Sequence, residues 1–141
     1  MTTVSEHRSV AIERIAPKKY AVTNARGGQI VLGGGAGTDF TPTELLMAAI
    51  GSCTAIDVDI VTSRRAEPDA FEVLVDAEKV RDEAGNRLTD IVVTFRIVFP
   101  PGAQGDEARA VLPDIVQKSH DRLCTVGLTV ETGTPIATRI E

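Results

Sequence analysis

The most reactive groups in this sequence are two thiols, Cys53 and Cys124, and no other cysteine is present. A cysteine acts as a nucleophile only as its thiolate, so the surroundings of each sulfur decide whether it reacts or merely packs. Free cysteine is also among the most buried residue types, and the packing reading stands beside the reactive one at both positions. Around Cys53 the neighbours Ala49, Gly51 and Ser52 are small, so a partner helix or a ligand can approach the backbone closely. Asp57 follows four residues later on the same helical face, and a carboxylate there raises the thiol pKa. A reactive Cys53 therefore needs a cation. Cys124 follows Ser119-His120-Asp121-Arg122-Leu123 at a helix–strand junction, a place where reactive groups are held near the surface. The pair lacks CxxC spacing, which excludes a zinc knuckle or a thioredoxin motif, and two cysteines in a cytosolic chain are rarely a structural disulfide. Two readings stay open: buried bystanders, or a pair that the fold brings together for redox chemistry.

Three further features could join that chemistry. His120 precedes Cys124 by four residues, as a base–thiol pair or half of a metal site would. Only His7 could add a second imidazole, so no metal is expected. Arg26 lies in the turn Asn24-Ala25-Arg26-Gly27-Gly28. It is either a solvated hairpin arginine or a cation swung toward the thiol, stabilising a thiolate and the oxygen of a bound peroxide. The run Gly33 to Gly37 precedes a helix as a phosphate loop does, but it lacks the Gly-Lys-Ser/Thr ending, and Pro42 removes a helix N–H that would bind an anion.

The elements that must position these groups are legible from punctuation and period. Thr41 is a good N-cap, Pro42 occupies the first helical position and Glu44 completes a capping box, so a helix is predicted from Pro42 to Arg65, ending before Pro68. Its first half, Leu45 to Ile50, is apolar all round, the pattern of a helix buried on every side. A chain of 15.0 kDa can hardly enclose such a helix alone, so burial by a second subunit is expected. Ahead of it, Val4–Ile15, Lys19–Thr23 and Gln29–Leu32 read as a hairpin or meander. After it, Phe71–Val80 and Thr89–Phe99 form a hairpin across the turn Asp82–Asn86, stopped by Pro100-Pro101-Gly102. Asp106–His120 has helical spacing, with Pro113 placing a kink or break. Thr125–Glu131 alternates and is predicted to be a strand, with Pro135–Ile140 a candidate terminal strand. Segregated strands and helices of this kind predict a single α+β domain over residues 1–141, two long helices packed on a mainly antiparallel sheet.

Composition narrows the partners. The chain has 141 residues, 43% hydrophobic and 25% charged, which excludes disorder, collagen and coiled coil for the whole. Its net charge of −5, its 4% aromatics and its lack of tryptophan argue against nucleic acid. The longest uncharged stretch, Leu45–Ile56, is too short for a bilayer, and Glu6, His7, Arg8 and Glu13 interrupt any signal peptide. A cytoplasmic protein with no membrane partner is expected.

The stretch Thr41-Pro42-Thr43-Glu44-Leu45-Leu46-Met47-Ala48-Ala49-Ile50-Gly51-Ser52-Cys53-Thr54-Ala55-Ile56-Asp57-Val58, with the distant Leu123-Cys124-Thr125-Val126, resembles the OsmC/Ohr family of osmotically inducible and organic hydroperoxide resistance proteins. The resemblance implies an intertwined α+β homodimer with two active sites at the subunit interface. It also implies a stress-response thiol peroxidase that reduces organic, fatty-acid-type hydroperoxides to alcohols. Cys53 matches the peroxidatic cysteine and would form a sulfenic acid. Cys124 matches the resolving cysteine and would close a disulfide with it. Arg26 matches the family's catalytic arginine. No bound cofactor is implied, only an external dithiol reductant such as a dihydrolipoyl protein. Departures place the chain nearer the OsmC-like branch. Thr43 stands where the hydroperoxide-resistance branch has a glutamate, leaving Glu44 as the nearest acid, either the partner of Arg26 or simply the capping-box residue. Thr54 replaces an aromatic, and Asp57 is an added acid that competes for the same arginine. The alternative is a dimeric binding or redox-sensing module for an apolar or thiol-reactive metabolite, without peroxidase turnover.

Overall fold

The computed structural model describes residues 2–141, which divide into two compact units, one ending at Leu46 and one beginning at Met47. In the first unit, β1 (Val10–Ala16), β2 (Lys19–Asn24) and β3 (Gln29–Gly33) form an antiparallel meander in that spatial order. Its register pairs Ile12 with Val22 and Val22 with Ile30. The β2–β3 turn is closed by Asn24, whose side-chain Oδ1 accepts from the backbone N–H of Arg26 at 3.0 Å and of Gly28 at 2.9 Å. Ala21 is buried, whereas Val10, Ile12, Ile15 and Ile30 are exposed.

Helix α1 (Pro42–Ser63) begins as its capping signals predict and ends two residues early. Glu44 N–H donates to Thr41 Oγ1 at 3.2 Å, and Thr41 N–H donates to Glu44 Oε1 at 2.9 Å, the reciprocal bonds of a capping box. The helix is long and apolar enough, by length and composition, to cross a membrane, which its uncharged stretch alone did not suggest. Few of its residues are buried: Ile50, Gly51, Val58 and Thr62.

The second unit pairs β4 (Ala70–Asp82) with β5 (Gly85–Val98) in a long antiparallel hairpin. Alternation puts Phe71, Val73 and Val75 on one face with their partners Ile97, Phe95 and Val93. Gly51 of α1 meets this face. A Cβ added there would lie 2.6 Å from Val75 Cγ2, so the absent side chain is what lets helix and strand touch. Phe99, Ala66 and Ala108 form a small buried cluster under α2 (Ala103–Lys118).

Three sequence expectations are corrected. Pro113 sits inside a continuous α2 rather than breaking it: its missing N–H leaves only the carbonyl of Arg109 without its helical donor, and both residues are exposed. Beyond Lys118 the chain widens into a π-turn, Ser119–Leu123. Thr125–Glu131, expected to be a strand, is helix α3. Its stop is a Schellman motif: Thr134 N–H reaches Thr129 O at 3.4 Å and Gly133 N–H reaches Val130 O at 3.3 Å, with Gly133 at φ +65°. The candidate terminal strand Pro135–Ile140 has no regular structure and is exposed.

Candidate active site

Cys53 stands in the fourth turn of α1 and Cys124 between the π-turn and α3; both are free thiols. The fold brings them together, close enough for Cys124 to act on the Cys53 thiol. Cys124 is 2% exposed and caps α3, its Sγ accepting the Gly127 N–H at 3.2 Å. The preceding N–H in that turn, from Val126, faces the Cys53 sulfur. Two consecutive amides of one helical turn therefore serve the two sulfurs. A strand at Thr125–Glu131 would point successive N–H groups to opposite sides and could not do this.

The Cys53 thiol is nevertheless pushed above its ordinary pKa, first by burial, then by the neighbouring Cys124, with the charge of Asp57 adding to the shift. Only the Val126 amide opposes it. Asp57, flagged by its spacing, has a partner that the sequence did not reveal. Ser119 is fully buried, and its Oγ lies 2.7 Å from Asp57 Oδ2 and 3.1 Å from Thr54 Oγ1. A hydroxyl has one proton, so donation to the carboxylate leaves Thr54 as donor in the second bond.

His120 does not pair with Cys124. Its Nδ1 lies 3.0 Å from Asp121 Oδ1 and its Nε2 3.0 Å from Glu131 Oε1, and these two carboxylates raise the imidazole pKa. A cavity of about 420 Å³ is walled by Ile50, Ile91, Val93, Phe95, Val116 and Val130, and Cys124 and Gly127 are also in its lining. Thr54, Gln117, His120 and Glu131 supply its polar groups. Arg26 and Glu44 belong to the first unit. Glu44 is engaged in the capping box, and among the described residues Arg26 forms no ion pair with it.

The sequence profile of the OsmC family, described as OsmC-like protein, matches residues 34–139. The chain belongs to the OsmC-like family. An uncharacterized protein of Mycobacterium tuberculosis is 28% identical over 126 residues, spanning 89% of this chain and 90% of its own length. Among solved structures, an OsmC-like protein of unknown function from Vibrio cholerae superposes with a TM-score of 0.71 at 14% identity, over 90% of this chain and 95% of that one. An organic hydroperoxide resistance protein OsmC from Legionella pneumophila superposes with a TM-score of 0.58 at 17% identity, over 91% of each chain. These likenesses establish the α+β fold.

Proposed function

We propose that the protein is a cytoplasmic, homodimeric thiol peroxidase that reduces organic hydroperoxides. The observation that carries this reading is the nearness of Cys53 to Cys124, with Cys124 lining an apolar cavity. The Cys53 thiolate attacks the terminal oxygen of the hydroperoxide. The O–O bond breaks, the alcohol leaves with a proton, and Cys53 holds a sulfenic acid. Cys124 then attacks the sulfenic sulfur, water leaves, and an external dithiol reduces the resulting disulfide by exchange. The cavity's apolar walls favour a bulky organic peroxide over hydrogen peroxide. Burial and Asp57 disfavour the thiolate, so the chemistry needs a cation, for which Arg26 is the candidate. Glu44 could serve Arg26 through Oε2 while its Oε1 keeps the Thr41 amide.

The test is intact mass and free-thiol count after one equivalent of cumene hydroperoxide, with hydrogen peroxide in parallel. Rapid loss of both thiols, faster with the organic peroxide, is expected. Cys53→Ser should abolish turnover, and Cys124→Ser should stop after one turnover with a sulfenic acid. Multiple turnovers in Cys53→Ser would remove the assignment. The raised Cys53 pKa favours a second reading, a dimeric binding module for an apolar metabolite, which predicts that both thiols stay free after the peroxide is added.

A further inference from the structure

The segment that delivers Cys124 is a single π-turn, a wide and rare form of helical turn. It is closed by the Cys124 N–H donating to the Ser119 carbonyl at 2.8 Å. Its other side-chain bonds stay at the same end of the chain: Gln117 Nε2 donates to both carboxylate oxygens of Asp121, and His120 lies between Asp121 and Glu131. Among the described hydrogen bonds, those of Ser119 cross to α1. They land on Thr54, next to Cys53, and on Asp57, one helical turn beyond it. One buried hydroxyl thus ties the backbone carrying one sulfur to the helix carrying the other. Deleting it leaves Asp57 without that donor in a half-buried place, which frees the turn to shift.

The geometry points to Ser119, held by Asp57, as a positioning residue that keeps Cys124 in line to close the disulfide with Cys53. This inference rests on the cysteine pair proposed above and goes beyond it. In the closing step the Cys124 sulfur attacks the oxidised Cys53 sulfur and an S–S bond forms. The bond from Cys53 to its leaving group breaks, and that group departs with the Cys124 proton. From a sulfenic acid the product is water; from a glutathione mixed disulfide it is reduced glutathione. Asp57 has two separable effects, its charge on the thiol and its acceptor oxygen for Ser119. That separation makes the inference testable.

Reduced full-length protein is mixed with glutathione disulfide, quenched with acid at intervals and weighed intact. The two rates read are mixed-disulfide formation and its conversion to the Cys53–Cys124 disulfide. Ser119→Ala should slow the closing step about tenfold or more, as small misplacements of reacting atoms do, while attack of Cys53 on glutathione disulfide changes less than about twofold. Asp57→Asn keeps an acceptor oxygen and should close within about threefold of the parent, whereas Asp57→Ala should close as slowly as Ser119→Ala. The thiolate absorbance of Asp57→Asn should titrate at lower pH than the parent's, because the charge beside Cys53 is gone. Closure of Ser119→Ala at the parental rate overturns the inference. Should Ser119→Ala fail to fold, equal closing rates in Asp57→Asn and Asp57→Ala overturn it instead. A parent that closes with glutathione disulfide but ignores hydroperoxides loses the peroxidase reading and keeps this one. A parent whose cysteines never join defeats both.

Discussion

Cys53 is asked to be a nucleophile in surroundings that favour its protonated form. Burial, the adjacent Cys124 and the Asp57 charge all raise its pKa, and the Val126 amide offsets only part of this. The pH dependence follows in sign. An acid whose folded pKa is raised keeps its proton over a window in which the unfolded chain has lost it. Reaction through the thiolate is therefore confined to higher pH unless a cation intervenes. If Arg26 is that cation, Arg26→Ala should move the pH midpoint of Cys53 alkylation upward and slow its oxidation at pH 7 by about tenfold per unit moved. An unchanged midpoint and rate would take Arg26 out of the site. The sulfurs and Asp57 were legible because their residue types carry chemistry on their face. Ser119 was not. A serine before a histidine and an aspartate carries no signal until the chain is folded and its hydroxyl is found fully buried against Asp57.

At the level of elements, two joints decide where the sulfurs stand. The first is the contact of α1 with β4 at Gly51. Gly51→Ala gains about 1 kcal/mol of helix propensity but forces a methyl to 2.6 Å from Val75, an overpacking cost of about 1–3 kcal/mol. A net loss of about 1 kcal/mol should lower the melting temperature by about 3–5 °C in a calorimetric scan. The second joint is the bridge from His120 in the π-turn to Glu131 at the end of α3. A histidine raised in the fold contributes stability that is complete below its ordinary pKa of 6.5 and is lost as pH rises through the folded value. The parent's melting temperature should therefore fall as the pH rises from 6.5 through the folded value. In Glu131→Gln the slope should flatten while Asp121 retains its share, and equal slopes would show the bridge to be idle. Most elements were readable because their ends are punctuated: Thr41-Pro42-Thr43-Glu44 opens α1, and Pro100-Pro101-Gly102 closes the hairpin. Helix α3 was misread because Thr125, Val126, Thr129 and Val130 are β-branched and mimic a strand over seven residues. The capping sulfur of Cys124 and the stop at Gly133 override that preference. Gly133 was the sequence signal that could have found the helix.

Across the whole molecule, the apolar side chains outnumber the places where one chain buries them. Ile56 and Ile60, one turn apart on α1, are 60% and 49% exposed, and Leu46 is 40% exposed. Val92 and Val98 stand exposed on the hairpin, as do Ile12 and Ile30 on the meander. Apolar surface of this extent is what an interface would cover, and the all-apolar run Leu45–Ile50 led to the same expectation of a second subunit. A second copy of the chain is the occupant we propose, and the interface should bury about 1,200–2,000 Å² if it is a stable one. Removing an isoleucine from such a contact costs about 1.5–3 kcal/mol, and a buried aspartate in its place costs more. The double variant Ile56→Asp/Ile60→Asp should therefore weaken association by at least about 100-fold. In sedimentation velocity the parent should run as a dimer at micromolar concentration and the variant as a monomer. Because a partner that binds only the folded chain stabilises it by mass action, the parent's melting temperature should rise with protein concentration and the variant's should not. A parent that sediments as a monomer, with a melting temperature independent of concentration, would leave these isoleucines facing water and remove the homodimer.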